Sequence, residues 1–451
     1  MDINTCRKYI DQLIKRAPEF GFEDCVAGLA SGTSMSISIF KGEVSSYENS
    51  VELDIAFRGK RNGQLGKAST SVINDDTVEF LLKSASENCD LLNDEDEEII
   101  YCDPEHPDLE HISLSGTWDK NTYDRFAEIG LRLEKAILEM DPLVKAVDSL
   151  GIGCSTGPTI KVNSKGLHIY SDSDRISIYA SARAEKDGIT KSAGNYWYGK
   201  DIDTFDQDKF VSELKDKLIP KFGGRSVSSG KYDIILNNES TIELFQAFMG
   251  SFSSYGMAKG ISLLAGKEGS VIASDIVTLT DDPFAEKALE KIPFDGEGVL
   301  TYKKNIIENG VFKTAFYNLK TAAMTGKKST GNGFGEAIGP TNLILQPGSS
   351  DLKEMAEHVG NGLYITEISG LHAGLNPISG DFSLLAEGYL IQDGKIDRAV
   401  EQITISDNFF SILMKIREIG SDVICQPDSI GEFISPSIVI PDVAVAGENK
   451  E

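Results

Sequence analysis

Histidine is scarce in this sequence, and its scarcity excludes more chemistry than any other feature of the composition. Only His106, His111, His168, His358 and His372 occur in 451 residues. None stands in an HExxH or HExxxH arrangement, which would set two imidazoles on one side of a helix beside a carboxylate able to activate a metal-bound water. His106 and His111 are close in sequence, but Pro107 follows the first and the surroundings are acidic, so the pair reads as solvated loop. The six cysteines (Cys6, Cys25, Cys89, Cys102, Cys154, Cys425) never form CxxC, which leaves neither a zinc ribbon nor a disulfide framework. They are expected to be reduced and mostly in the core. Apolar runs of the ~20 residues needed to span a bilayer are missing. The opening MDINTCRKYIDQL has the pattern of an amphipathic helix, unlike a signal peptide, so the expected location is cytoplasmic. Cations are outnumbered, 44 Lys and Arg against 70 Asp and Glu, for a net charge of −26. That balance repels phosphate backbones and anionic membrane surfaces, so neither nucleic acid nor membrane is an expected partner.

What is present has the length and apolar content of two globular domains. Residues Ile3 to Ala17 recur at helical spacing. Met35 to Phe40, Val44 to Arg58 and Gln64 to Ser71 alternate between glycine-containing turns, an antiparallel meander. A helix with Val78, Leu81, Leu82, Ala85 and Cys89 on one face follows, then an acidic, aperiodic stretch from Asn93 to Ser115 read as a long surface connection. A further helix carries Tyr123 to Leu138. Alternation returns from Val144 to Tyr198, and a short helix around Phe210, Leu214 and Leu218 closes residues 1–222. Residues 223–230 sit in a Gly- and Ser-rich linker. Residues 231–451 are mostly strands, with helices expected at Ser240 to Met249, Leu352 to Val359 and Asn408 to Ile419.

Candidate chemistry is sparse. The stretch Gly370 to Ile396 joins His372, Asn376, Asp381 and Ser383 to a hairpin with an Asp393-Gly394 turn, its glycines marking tight bends. His372 is read as a turn histidine or a substrate contact. The Gly331-Asn332-Gly333 loop is a tight or mobile turn, or a weak phosphate cradle, with Asn332 as its candidate contact. Asp281, Asp282, Asp295 and Glu297 flank Pro283 and Gly296 and suit turn and capping roles, with acid–base work needing two of them at different pKa. Cys425 has no basic cluster before it to lower its pKa.

The ordered set LTDDPF (Leu279 to Phe284), PFDGEGV (Pro293 to Val299), TGNGFG (Thr330 to Gly335), PTNLILQPG (Pro340 to Gly348), SGDFSLLAEGYLIQDGKI (Ser379 to Ile396) and IREIGSD (Ile416 to Asp422) resembles the TldD/PmbA family. ISIFKGEVSSYENS, RGKRNGQLGKASTS and VNSKGL extend the resemblance, in collinear order, over nearly the whole chain. It implies an α+β protein: an N-terminal domain of meander sheet with helices, and a mostly-β, barrel-like C-terminal domain. TldD-type chains of this family carry HExxxH on the helix after the first C-terminal strand and are the zinc peptidase subunits. Here that helix reads STIELFQAFMGSF, without imidazoles, and Cys425 lies in VICQPDSIGEF, outside the CGKxGQ context of those chains. The resemblance therefore points to the PmbA (TldE) branch, historically described as a modulator of DNA gyrase. It implies a subunit with no catalytic or metal-ligating residues of its own, zinc only in a TldD-type partner, and unfolded peptides as substrates. His372, Asn376, Asp381, Ser383 and Asn332 are the candidate peptide contacts. Two other readings stay open: a homodimer with its own or lost peptidase activity, in which His372, Asp381, Ser383 and Cys425 would matter, and a peptide- or protein-binding module.

Overall fold

The computed structural model describes residues 3–91, 99–105, 107–115, 122–335, 337–428 and 430–448. The chain divides into two compact units, Met1–Ile219 and Pro220–Glu451. The first is built on long strands. Alternation with glycine turns gives β1 (Asp24–Phe40), β2 (Glu43–Arg61) and β3 (Gln64–Thr70), joined by turns in which Lys41, Gly42, Asn62 and Gly63 take positive φ. β4 (Asp108–Ser113), β5 (Val144–Asn163), β6 (His168–Lys186) and β7 (Ile189–Gly199) complete a seven-stranded sheet in the order β3-β2-β1-β5-β6-β4, with β7 also on β6. β4 and β7 share one side of β6, pairing with residues 168–173 and 176–186 respectively.

Helices α1 (Ile3–Arg16) and α2 (Thr77–Leu91) cover one end of this sheet. They bury Ile10, Leu13, Val78, Leu81 and Leu82 with Ala27, Leu29, Ile55 and Phe57. Helices α3 (Thr122–Glu139) and α4 (Gln207–Leu218) pack on the other end. Between the two covered ends, Ala30 to Ser36 of β1 and Ser155 to Thr159 of β5 include no buried residue. The segment expected to be an irregular connection contains β4, paired in parallel with β6. Its residues alternate between exposed and half-buried, so there is no buried apolar face to produce a periodic signal, and backbone pairing alone defines the strand. His106 lies outside the described residues.

The second unit begins with β8 (Gly230–Leu236) and α5 (Asn238–Phe248), followed by the short α6 (Ser254–Ala258). After it come β9 (Leu279–Asp281), β10 (Lys304–Glu308), β11 (Val311–Phe312), α7 (Leu319–Thr325), β12 (Gly333–Phe334), β13 (Ala337–Ile338) and β14 (Leu343–Leu345). The chain ends with α8 (Leu352–Val359), β15 (Gly362–Ser369), β16 (Asp381–Gln392), β17 (Lys395–Asn408), α9 (Phe409–Lys415), β18 (Glu418–Ile419), β19 (Ile424–Pro427), β20 (Glu432–Ser435) and β21 (Ile438–Ala446). The expected helix to Ile419 is shorter, because Ile416 turns to extended backbone (ψ 116°) and the chain leaves to pair as β18.

Strands β17-β16-β15-β8-β21 form a barrel, closed because β17 pairs back onto β21 from Thr404 to Ser406. Closure removes the free edges that an open sheet would present. Gly388 is required inside it: a Cβ there would stand 1.9 Å from the Tyr364 carbonyl oxygen. A second, mixed sheet runs β11-β10-β9-β14-β20-β19. The architecture is thus α+β, with a meander-sheet unit followed by a barrel unit.

The core between barrel and helices is aromatic. Phe248 stacks on Phe409 at 4.6 Å, and Phe245 meets Phe409 and Phe433 edge-on at 5.3 and 5.9 Å. All four rings are almost fully buried. Phe248→Ala is expected to destabilise the C-terminal unit by about 3–5 kcal/mol, the cost of a buried phenyl with the cavity it leaves. Chemical denaturation followed by near-UV circular dichroism checks it, and a loss below about 1 kcal/mol would contradict this packing.

Candidate functional site

The place to look first is α5, on the helix where the sequence pattern put a question of metal ligands. Asn237 caps it, its side chain accepting from the Ser240 N–H at 2.8 Å, and the Asn237 N–H donates to the Ile365 carbonyl at 2.9 Å. Both bonds fix the helix against the barrel strand β15. Thr241, Ile242, Leu244, Phe245 and Phe248 face inward. Glu239 and Glu243 stand one turn apart at half-buried positions, with no imidazole on the helix. Among the described residues, no three His, Cys, Asp or Glu side chains come close enough to hold a metal ion. Apolar side chains offer no lone pairs, so the residues here do not fit a zinc ion.

The glycine-bounded bend lies at the rim of the barrel. His372, Asn376, Asp381 and Ser383 are all exposed there. The Asn376 side chain accepts from the Ile378 and Ser379 N–H groups at 3.0 and 3.2 Å, and its N–H donates to the Asp381 carbonyl at 2.8 Å. Asp381 accepts from the Asn408 amide at 2.9 Å and from the Ser379 hydroxyl at 2.8 Å. These two bonds, Asn408 first, hold its carboxyl below the ordinary aspartate range. Asn408 also caps α9, so the bend, β16, β17 and α9 meet at one side chain. Ser383 accepts from the Ser406 hydroxyl at 2.8 Å across the strand pair. The glycines serve this compaction: a Cβ on Gly374 would lie 2.4 Å from the Ser383 carbonyl.

Asn332 is elsewhere. It is fully buried in a polar node within the second sheet of the unit. Its amide donates to Asp281 at 2.8 Å and to the Gly339 carbonyl at 2.9 Å, while its carbonyl oxygen accepts from Thr330 at 2.7 Å. Asp281 also receives the Thr341 N–H and hydroxyl at 2.8 and 2.5 Å, and it pairs with Lys304 at 2.9 Å. Asp281 is wholly buried and Lys304 nearly so. The aspartate is therefore not a turn residue but half of an internal ion pair. Asp295 and Glu297 do hold turns and caps. Asp295 accepts from the Glu297, Val299 and Gly333 N–H groups, each at 2.9 Å, and Glu297 accepts from the first N–H of α7 at 2.8 Å. The glycine loop is shaped by these protein groups, since a Cβ on Gly333 would lie 2.6 Å from the Glu297 carboxylate. Sequence reasoning missed Lys304, which has no local pattern. Cys425 is half-buried at 3.5 Å from Glu432, and burial first, then that carboxylate, pushes its thiol up to about 12.

With this geometry in place, the chain was compared with known proteins. Sequence profiles match residues 229–447 (PmbA/TldA metallopeptidase C-terminal domain), 117–219 (PmbA/TldA metallopeptidase central domain) and 25–89 (PmbA/TldA metallopeptidase domain 1). The chain belongs to the PmbA/TldD metallopeptidase family. It is 23% identical to the metalloprotease PmbA of Escherichia coli O157:H7 over 99% of this chain and 98% of that one. A TldD homolog of Buchnera aphidicola is 26% identical over 48% of this chain and 46% of its own. Among solved structures, a Thermotoga maritima protein described as a modulator of a DNA gyrase superposes with a TM-score of 0.86, 28% identity, and coverage of 98% and 100%. TldE from Thermococcus kodakarensis does so at 0.84 and 23% identity, covering 97% of this chain and 100% of that one, a likeness of fold. Of the motifs quoted from the sequence, LTDDPF, PFDGEGV, TGNGFG and PTNLILQPG supply residues of the buried node and its flanking turn, and SGDFSLLAEGYLIQDGKI supplies the barrel rim.

Removing either partner of the internal ion pair leaves an uncompensated buried charge. Asp281→Ala and Lys304→Ala are each expected to cost the C-terminal unit about 3–5 kcal/mol, and the double variant Asp281→Ala/Lys304→Ala less than the sum. A denaturation double-mutant cycle measures the coupling, and strict additivity would contradict the pairing. For Cys425, alkylation at pH 8 followed by peptide mass spectrometry should label the exposed Cys102 well before it. Equal labelling rates would contradict the raised thiol.

Proposed function

We propose that this chain is the metal-free, PmbA/TldE-like subunit of a cytoplasmic peptidase complex. In this reading it helps bind unfolded peptides and enclose the active site of a zinc-binding HExxxH partner, and contributes no catalytic group itself. The observation that carries the proposal is α5, whose inward face is Leu244, Phe245 and Phe248 packed into the barrel core. In a metallopeptidase family member, a helix without ligands supports a reading in which a partner supplies the chemistry.

The exposed rim residues His372, Asn376, Asp381 and Ser383 are the proposed peptide contacts; Asn332, fully buried against Asp281, Thr330 and Gly339, is not among them. Main-chain hydrogen bonds to an extended peptide would supply sequence-tolerant affinity. The chain's net charge of −26 favours basic or neutral peptides.

Purified alone, the protein is expected to hold no stoichiometric zinc and to cleave no peptide. Added to a cognate HExxxH subunit, it should restore cleavage, and His372→Ala/Asn376→Ala should reduce that restored activity several-fold. Elemental analysis together with a fluorogenic peptide assay checks both. Partner activity undiminished without this chain, or turnover with bound transition metal in the isolated chain, would overturn the proposal.

A further inference from the structure

Among its described residues, the first unit carries a strand edge with no pairing partner. β1 pairs with β2 along its whole length, from Asp24 opposite Lys60 to Phe40 opposite Glu43. On its other side β2 pairs with β3 only from Ile55 to Arg61. Among the described residues, nothing pairs with the other side of residues 43–54, which therefore present an open edge. Every residue from Ser45 to Glu52 is exposed, which an interior strand would not be, since at least one of its faces would be covered.

The two faces of this edge differ. Successive strand side chains alternate in direction, so Glu48, Ser50, Glu52 and Asp54 point one way and Tyr47, Asn49, Val51 and Leu53 the other. The second set continues the face on which Ile55 and Phe57 are buried. Tyr47 and Val51 are 50% and 71% exposed, and Tyr47 meets the exposed Tyr123 ring edge-on at 5.1 Å. On the first face the residues directly opposite on β1 are Ser36, Ser34, Gly32 and Ala30, none of them a cation. Between Lys41 and Arg58 the sequence has four carboxylates (Glu43, Glu48, Glu52, Asp54) and no Lys or Arg.

We propose that this edge of β2 binds an extended polypeptide segment in which Lys or Arg alternates with apolar residues, by strand addition. The open N–H and C=O groups supply the ladder. The carboxylates face the basic side chains of the added strand, and Tyr47, Val51 and Leu53 receive its apolar ones. A second copy of this chain is the poorer occupant, because antiparallel pairing of two such edges sets carboxylates against carboxylates, and like charges across a strand pair are destabilising. The site lies in the first unit and involves neither α5 nor the barrel rim, so it stands independently of the function proposed above.

The test is fluorescence anisotropy of the full chain with a labelled peptide of about ten residues, a length that spans the edge, alternating Lys and Val. A Glu/Val peptide and a Lys/Val peptide N-methylated at every second residue serve as controls. Expected are saturable binding of the Lys/Val peptide that weakens with salt, no binding of the Glu/Val peptide, and loss on N-methylation. Glu48→Lys/Glu52→Lys should weaken binding at least tenfold while leaving the far-UV circular dichroism and thermal midpoint unchanged. Since these side chains are exposed, the fold should tolerate the exchange; Glu48→Gln/Glu52→Gln, which carries no new charge, should give an intermediate loss. Binding unaffected by both double variants, binding insensitive to N-methylation, or loss only in His372→Ala/Asn376→Ala would each overturn the assignment. The last result would place the peptide at the barrel rim instead. Concentration-dependent self-association that protects the β2 edge from hydrogen exchange would also overturn it, in favour of a second copy.

Discussion

The C-terminal unit depends on the burial of one face of α5 against a barrel that has no free edge. The two conditions support each other. A five-strand barrel encloses too little volume to be filled by its own strands alone and still pack another layer, and the rings of Phe245 and Phe248 occupy the space between it, α9 and β20. Interiors at crystal-like density tolerate neither voids nor hydrated ions. The same rings that complete the core thus remove the position from metal chemistry. Replacing one phenylalanine by histidine would not create a zinc site, because an imidazole buried among phenyl rings lacks both a second ligand and a hydrogen-bond partner to orient it.

The buried node illustrates a different constraint. Lys304 and Asp281 exchange water for one another, and a bare ion pair would repay that desolvation poorly. Here the carboxylate collects Asn332, the Thr341 N–H and the Thr341 hydroxyl besides the ammonium. Four separate chain segments must arrive together for the set to be satisfied: the end of β9, the start of β10, the glycine loop and the approach to β14. A network satisfied only in one arrangement penalises every other arrangement of those short strands. That is a reason for three-residue strands such as β9 and β14, which have little pairing energy of their own, to keep one register.

Much of this fold was legible in the residues, for reasons that differ by element. The end of β1 (Met35 to Phe40), β5, β6 and the part of β2 beyond Leu53 declare themselves by alternation, and α5 by apolar spacing, because those stretches have one buried face; Asp24 to Ser34 of β1, rich in Ala, Gly, Ser and Thr, gives too little contrast. β4 does not declare itself, since it buries no face. The end of α9 was hidden for another reason: Ile416 is as good a helix residue as its neighbours, and only the tertiary pairing of Glu418 and Ile419 with β21 ends the helix there. The rim residues were legible as a group because they are local in sequence. The Asp281–Lys304 pair was not, because 281 and 304 belong to different strands and an Asp-Asp pair before Pro283 has the same local signature whether its members cap a turn or enter the interior. Asn332 belongs to the same class, its role set by what the chain brings to it.

The middle of the first unit's sheet raises a last question of cover. Ala30 to Ser36 and Ser155 to Thr159 lie between two helix-covered ends with no buried residue. A bare sheet of Val and Ile would be an aggregation hazard. One made of Ser, Thr, Gly and Ala apart from Met35 and Pro158 loses little by partial exposure, because little apolar area is left uncovered. Long strands can therefore run half-buried from one covered end to the other, held by their ladders and anchored where α1, α2 and α3 pack. The carboxylates along β2 then determine which strand can add to its open edge: they repel another β2 and attract a basic segment. Surface composition and the unfilled ladder lead to the same occupant, and neither would identify it alone.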